Sequence, residues 1–373
     1  MALPTSMPEE SLTGDPAAPS LTFPLGWLIK HAAPSLAYRA MADVAGMSVP
    51  EGVRLLPYQS PTALMLSMTQ AMDGTWNGTM LTTPSDPMEI EGVGTIPAFR
   101  RLIEYGWDRE SPPIFQGRRT LFRLLAEDND PRYLYELRKE VKNAEMAIRA
   151  RNLLREAAAA ALAQAGYEAD PRLRGAARRI MERVDAFFVS DLADKPWVRI
   201  GNRHVLAAEV QPPSIFTLMM LAHMPIFRSE HYPEMERLYA YLSQPKPTQE
   251  VVQMVGGEII SQPHLVMGDW LYNKNVVDAD VPFALLWLET MARLNFLKRN
   301  ENWSKLFERL VDDRDRACVW HPHKGTDTPV ATSPYAWSLY PLEDRLEGEA
   351  RWTDVTFRIG LIAQLNGWRI DVV

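Results

Sequence analysis

The chain is poor in cysteine: its 373 residues carry one, Cys318. A single thiol excludes an internal disulfide and fits a reducing cytosol. Positive charge is not in excess either. Lys and Arg total 40 against 47 Asp and Glu, a net charge of −7, which argues against a protein held on nucleic acid by a basic face. Arg172, Arg174, Arg178, Arg179 and Arg183 crowd one segment, but their helical spacing reads as a solvated face. No window approaches the ~20 uninterrupted apolar residues of a transmembrane helix. The greasiest pieces, "SIFTLMMLAHMPIF" and "VPFALLWLETMARLNF", are too short and too interrupted. The N-terminus "MALPTSMPEESLTGDPAAPS" has acids and prolines where a secretory signal has a basic start and an apolar run. A cytoplasmic protein is expected, without nucleic-acid partner or transmembrane segment, peripheral membrane contact being left open. Phosphate-cradling Gly loops, a Gly-x-Ser-x-Gly elbow and a His-Glu-x-x-His pair are also missing, and no cofactor is expected.

What the chain has in quantity is helix. Residues 1 to about 20 read as a disordered leader, rich in Pro, Ser and Glu; residues 21–373 read as one helical repeat domain. A turn residue, a proline and then an amphipathic run recur in "APSLAYRAMADVAG", "NDPRYLYELRKEV" and "ADPRLRGAARRIMERV". Proline suits the first helical turn, where its missing N–H costs nothing. "NAEMAIRARNLLREAAAAALAQAGY" is strong helix by propensity, ended by Gly166. Further helices are expected near 60–72, 95–106, 115–126, 214–223, 231–243, 281–298, 302–314 and 353–366. Strand-like alternation is scarce; "PWVRIGNRHVL" is the one tempting piece, a hairpin around Gly201. About a dozen helices make an all-α fold. Two architectures satisfy it, a closed α/α toroid or an open HEAT-like α-solenoid. The helix after Pro282 is apolar almost all round, from Phe283 through Trp287 to Leu297; such a helix is buried on every side, which favours the ring.

Aromatic turns stand out. Trp76 lies in "AMDGTWNGTML", Trp107 in "IEYGWDRESPP", Trp320 in "RDRACVWHPHKG" and Trp337 in "SPYAWSLYPLE". "QAMDGTWNG" is similar to the Gly-Trp repeat turns of squalene-hopene cyclases. "DADVPFALLWLE" resembles the Asp-x-Asp-Asp-Thr-Ala segment of class II terpene cyclases, and "SPYAWSLYPLE" the loop near the end of those chains. The resemblance is to the terpenoid cyclase and prenyltransferase-like α/α-toroid group and its bacterial relatives with such repeats. It implies an isomerase or lyase that protonates an apolar isoprenoid-type ligand in a central cavity. Asp280 then matches the protonating aspartate and Asp278 its hydrogen-bond partner. Trp76, Trp107, Phe283, Trp287, Trp320 and Trp337 would form the wall that stabilises a cation. Val281 stands where the motif has its third Asp, and Pro282 where it has Thr. Those departures are what a catalytically inactive scaffold or a protein-binding relative would show.

Local readings stand beside these. Asp280 directly precedes a Pro-started helix, the place of an N-cap. Aromatics at helix ends serve as wedges between helices. Asp313, Asp315, Cys318, His321 and His323 are the residues with metal-ligand chemistry, although a single Cys matches no structural zinc pattern. His204, His223 and His264 stand apart, and His223 reads as a core histidine bonded to a backbone carbonyl.

Overall fold

The computed structural model of the protein describes residues 19–126, 131–272, 274, 276, 280–321 and 329–373. The described chain opens with strand β1 (Ser20–Phe23) and helices α1 (Leu25–His31), α2 (Pro34–Arg39), α3 (Pro61–Met68), α4 (Thr95–Glu104) and α5 (Pro112–Ala126). A 3-10 segment, Pro131–Lys139, leads into α6 (Ala144–Gln164) and α7 (Pro171–Phe188). Strands β2 (Trp197–Ile200) and β3 (Arg203–Leu206) precede α8 (Ile215–Ala222), α9 (Pro225–Glu230) and α10 (Tyr232–Leu242). Then come β4 (Val252–Val255), β5 (Glu258–Ser261), α11 (Val281–Arg293), α12 (Glu301–Asp312), α13 (Thr353–Leu365) and β6 (Arg369–Val372).

About 52% of the chain is helical and 10% is strand, in one two-stranded and one four-stranded sheet. The fold is therefore mixed α/β, which corrects the expected all-α architecture, whether drawn as a closed toroid or an open solenoid. The expected hairpin around Gly201 is present, with Val198 opposite Val205. A second hairpin, β4–β5, turns on Gly256 and Gly257, both at positive φ, the backbone that tight hairpin turns require. The two hairpins join through one parallel pair, Leu206 and Gln253. The other sheet pairs β1 with β6 in parallel, Leu21 opposite Ile370, so the first and last described strands lie side by side. Each strand has four residues, too short for alternation to rise above a helical background.

Helix starts follow local chemistry. Pro34, Pro61, Pro171 and Pro225 occupy first turns. Side-chain caps hold α6, α7 and α8: Asn143 Oδ1 accepts from Met146 N at 3.0 Å, Asp170 Oδ1 from Arg172 N at 2.9 Å, and Ser214 Oγ from Thr217 N at 3.1 Å. Each such cap contributes about 1 kcal/mol. Two expected helices come out differently. "NDPRYLYELRKEV" is a 3-10 segment broken at Tyr135 (φ 45°), its first two residues lying outside the described ones. The helix expected over 281–298 stops at Arg293, where Asn295 takes φ 60° and a separate 3-10 turn follows.

The core forms around α6 and α11. In α6, Ala157, Ala158, Ala159, Ala160, Ala161 and Ala163 are all buried; these short side chains let α4, α5, α7 and α8 approach closely. Helix α11, largely apolar, is buried from Ala284 to Ala292 against α8 and α13. Burying a side chain the size of Leu285 or Trp287 contributes roughly 1.5–3 kcal/mol. No described helix is long and apolar enough to cross a membrane.

Candidate functional site

The residues singled out by sequence do not converge. Asp280 occupies the N-cap position of α11 without a capping hydrogen bond, and its Oδ1 accepts from Lys274 Nζ at 3.1 Å with a third of the side chain exposed. Asp278 lies outside the described residues. The tryptophans are packing elements. Trp76 Nε1 donates to Leu66 O at 2.8 Å and Trp107 Nε1 to Pro57 O at 3.0 Å. Trp287 and Phe283 both stack on Trp270, with ring centroids at 5.6 and 5.3 Å. Trp320 meets Trp352 edge-on, and the Arg101 guanidinium covers Trp337 at 4.3 Å. The metal candidates form a turn. Asp315 Oδ1 accepts from Ala317 N and Val319 N, Cys318 takes φ 63°, and His321 packs edge-on against Trp352. The Asp313 carbonyl accepts from His321 N, and His323 lies outside the described residues. Among the described residues no group of His, Cys, Asp and Glu could hold a metal ion. His223 is the expected core histidine, its Nδ1 2.9 Å from Met219 O.

A different place has the properties of a site. A cavity of about 530 Å³ lies between α4, the N-terminal half of α6, the β4–β5 hairpin and the loop around Tyr335. Its walls are mainly apolar, with Ile96, Leu153, Val210, Phe216, Ile260 and Leu265. Tyr335 meets Phe216 edge-on at 5.8 Å and leans on Trp270. Tyr335 thus joins the cavity to the aromatic cluster of Trp270, Phe283 and Trp287, none of which lines it. Such apolar concavities with a few convergent polar groups are the usual form of a ligand site.

The polar groups of the cavity fall into two sets. The first is closed on itself. Glu156, buried on α6, accepts from Arg183 Nη2, from Ser214 Oγ and from Thr217 Oγ1 (3.0 Å). Ser214 therefore caps α8 and binds Glu156 with the same hydroxyl. Arg149 donates to Gln253 Oε1 at 2.8 Å and to Ala208 O. Gln253 is wholly buried and donates to Ala207 O and Val210 O, which pins the base of the β4–β5 hairpin. The tip of that hairpin is held by exposed contacts only: Lys142 Nζ to Glu258 Oε2 at 2.8 Å, Asn143 Nδ2 to Gly256 O, and Gly256 N to Glu145 Oε2. Burial pushes His264 down to about 4, so its imidazole is neutral at pH 7.

The second set is left open. Arg100, on α4, lines the cavity and is 5% exposed. Its Nε donates to Gln164 Oε1 at 2.7 Å. Among the described residues its two Nη nitrogens make no hydrogen bond and no carboxylate lies within ion-pair distance. Burial brings Arg100 down to about 10, against the attraction of Glu104 and Glu289; it remains a cation at pH 7. A buried charge with so little compensation is costly. Behind it stands a cluster in which every charge is paired. Glu104 accepts from Arg39 Nη1 and Arg358 Nη2, both at 2.6 Å. Glu289 accepts from Arg358 Nη1 at 2.9 Å and Arg293 Nη2 at 2.8 Å. Burial alone would raise Glu104, but Arg358 and Arg39 hold it well below the usual carboxylate range. Gln164 links Arg100 to this cluster, because its Nε2 donates to Glu104 Oε1 at 2.5 Å.

Arg100, Gln164, Arg149 and Glu156 were not singled out from the sequence. The one available signal was the charge inside apolar helices: "TIPAFRRLIE" carries Arg100 and Glu104, and Glu156 stands at the head of an alanine run. Comparison of the chain with family models, with curated proteins and with solved structures gives no match.

Proposed function

We propose that this protein binds an amphipathic anion, an apolar body of isoprenoid or acyl type carrying a negatively charged head, in the cavity beside α6. The observation that carries this reading is Arg100: a buried guanidinium whose only hydrogen bond among the described residues goes to a neutral amide, on the wall of a mainly apolar cavity. An anion there would supply the missing charge, and hydrogen bonds between ionised partners are the strong ones. The apolar walls match the isoprenoid-like body implied by the sequence resemblance. Acid-initiated cyclisation finds less support. The acid it needs is a neutral, desolvated carboxyl aimed into the cavity, whereas Asp280 is paired with Lys274 and is not among the lining residues. Binding, rather than ring closure, is the activity the geometry favours.

Titration with a fluorescent polyene fatty acid tests this reading. One equivalent is expected to bind the purified chain, and Arg100→Gln to weaken binding by at least about tenfold. Equal affinity in both proteins would sink the reading.

A further inference from the structure

The charge count around Arg100 says more about the head group. Arg39, Arg100, Arg101, Arg293 and Arg358 bring five positive charges to one cluster; Glu104, Glu289, Asp354 and, at its exposed edge, Asp43 bring four negative ones. Arg39 meets Asp43 at 2.7 Å and Glu104 at 2.6 Å. Arg358 bridges Glu104 and Glu289, and Arg293 closes on Glu289. The single excess charge therefore rests on Arg100, the member that faces the cavity. A further carboxylate could stand at position 164, within hydrogen-bond reach of Arg100 Nε, but the residue there is a neutral amide.

The other cations of the cavity are already engaged. Arg183 is paired with Glu156, and Arg149 is held by Gln253 Oε1 and Ala208 O. His264 is neutral at pH 7. Glu140 and Glu145 share the same cavity and repel further negative charge.

Resting on the binding reading above, we infer that the head group is a monoanion of carboxylate shape, anchored by the Nη pair of Arg100, and that Gln164 is the positioning residue that keeps this site cationic. Two parallel N–H donors match the two oxygens of a carboxylate. A dianionic phosphate monoester would bring one negative charge more than the cluster can compensate. Gln164 acts twice: Oε1 fixes the guanidinium plane through Nε, and Nε2 ties the assembly to Glu104. Neither contact uses the Nη pair.

The test is calorimetric titration of the full chain with three probes of equal chain length: dodecanoate, dodecyl phosphate and dodecanol. It is run at about pH 8, above the second ionisation of the phosphate. Dodecanoate is expected to bind at least about tenfold tighter than either of the others. Gln164→Glu gives Arg100 a carboxylate of its own; it is expected to weaken dodecanoate by about tenfold or more and to leave dodecanol unchanged. That selective loss is a readout a merely structural role of Gln164 would not produce. Dodecyl phosphate binding as tightly as dodecanoate would overturn the monoanion inference while leaving the binding site standing. Binding of none of the three probes would instead overturn the binding reading itself. Equal binding of dodecanoate and dodecanol would remove Arg100 as the anchor. Should Gln164→Glu fail to fold, Gln164→Leu takes its place. It frees the guanidinium plane and is expected to narrow the preference of dodecanoate over dodecyl phosphate; an unchanged preference would remove Gln164 from the site.

Discussion

At the Arg358 end of the buried cluster each guanidinium meets carboxylates: Arg358 itself bridges Glu104 and Glu289 across three helices, α4, α11 and α13. At the Arg100 end, about one helical turn from Glu104 on the same helix, a buried guanidinium that faces the cavity meets one amide oxygen. The residue types are the same, and both side chains are buried. What differs is whether the fold completes the charge. Pairing at the first end makes the cluster a joint between distant segments, and removing any member strands a buried ion. On the binding reading, the incomplete second end is where an anion from outside the chain would supply the missing charge.

Breaking the paired end should have the largest effect. Arg358→Met leaves Glu104 and Glu289 facing each other without their shared partner, and a loss of about 3–5 kcal/mol is expected in urea denaturation. A loss below about 1 kcal/mol would mean that the cluster is not the joint described. Next comes the hairpin that walls the cavity. A Cβ on Gly256 would sit 2.1 Å from Asn143 Nδ2, at a backbone φ of +56°. Gly256→Ala should cost about 1–3 kcal/mol and raise hydrogen exchange over β4 and β5; unchanged exchange there would separate the hairpin from α6.

A smaller effect is expected from pH at the cavity. His264 has its folded value lowered to about 4 from 6.5. The unfolded chain therefore binds the proton more readily, and stability drops as pH falls from 6.5 towards 4. Denaturation of wild type and His264→Gln across that window should show a shallower acid-side slope in the variant; parallel slopes would place His264 in water. The smallest effect belongs to the exposed Lys142–Glu258 pair at the hairpin tip. Lys142→Ala should cost no more than about 0.5 kcal/mol. A larger loss would show that this surface contact, rather than buried Gln253, holds the hairpin down.

Much of the helical framework was legible in the sequence, because its signals are local. Pro34 and Pro171 begin helices as their position suggests, and α11 is buried from Ala284 to Ala292 as its largely apolar run implies. The Gly201 hairpin was legible for the same reason. The β4–β5 hairpin carries a local signal of the same kind, Gly256–Gly257 between two apolar runs. The β1–β6 pair carried none: parallel strands joined across the whole chain leave no turn to read. The candidate site was illegible for a stronger reason. "RRLIE" contains two arginines, and nothing local tells which one keeps its Nη pair free. Arg101 turns to the carbonyls of Trp337 and Pro341, while Glu104 is taken by Arg39 and Arg358, 65 and 254 positions away in sequence. Compensation of buried charge is a property of the folded assembly. Conversely, the conspicuous tryptophans drew the reading towards a cavity wall, whereas Trp76, Trp287 and Trp320 serve the core.

The most direct measurement is urea denaturation of wild type, Arg358→Met and Arg100→Met, each with and without saturating dodecanoate. Arg358→Met is expected to lose about 3–5 kcal/mol and Arg100→Met less than about 1 kcal/mol. Dodecanoate should stabilise wild type through preferential binding to the folded state and stabilise Arg100→Met by at least about 1 kcal/mol less. Equal losses in the two variants, with dodecanoate shifting both alike, would contradict the assignment of one end of this cluster to structure and the other to a ligand.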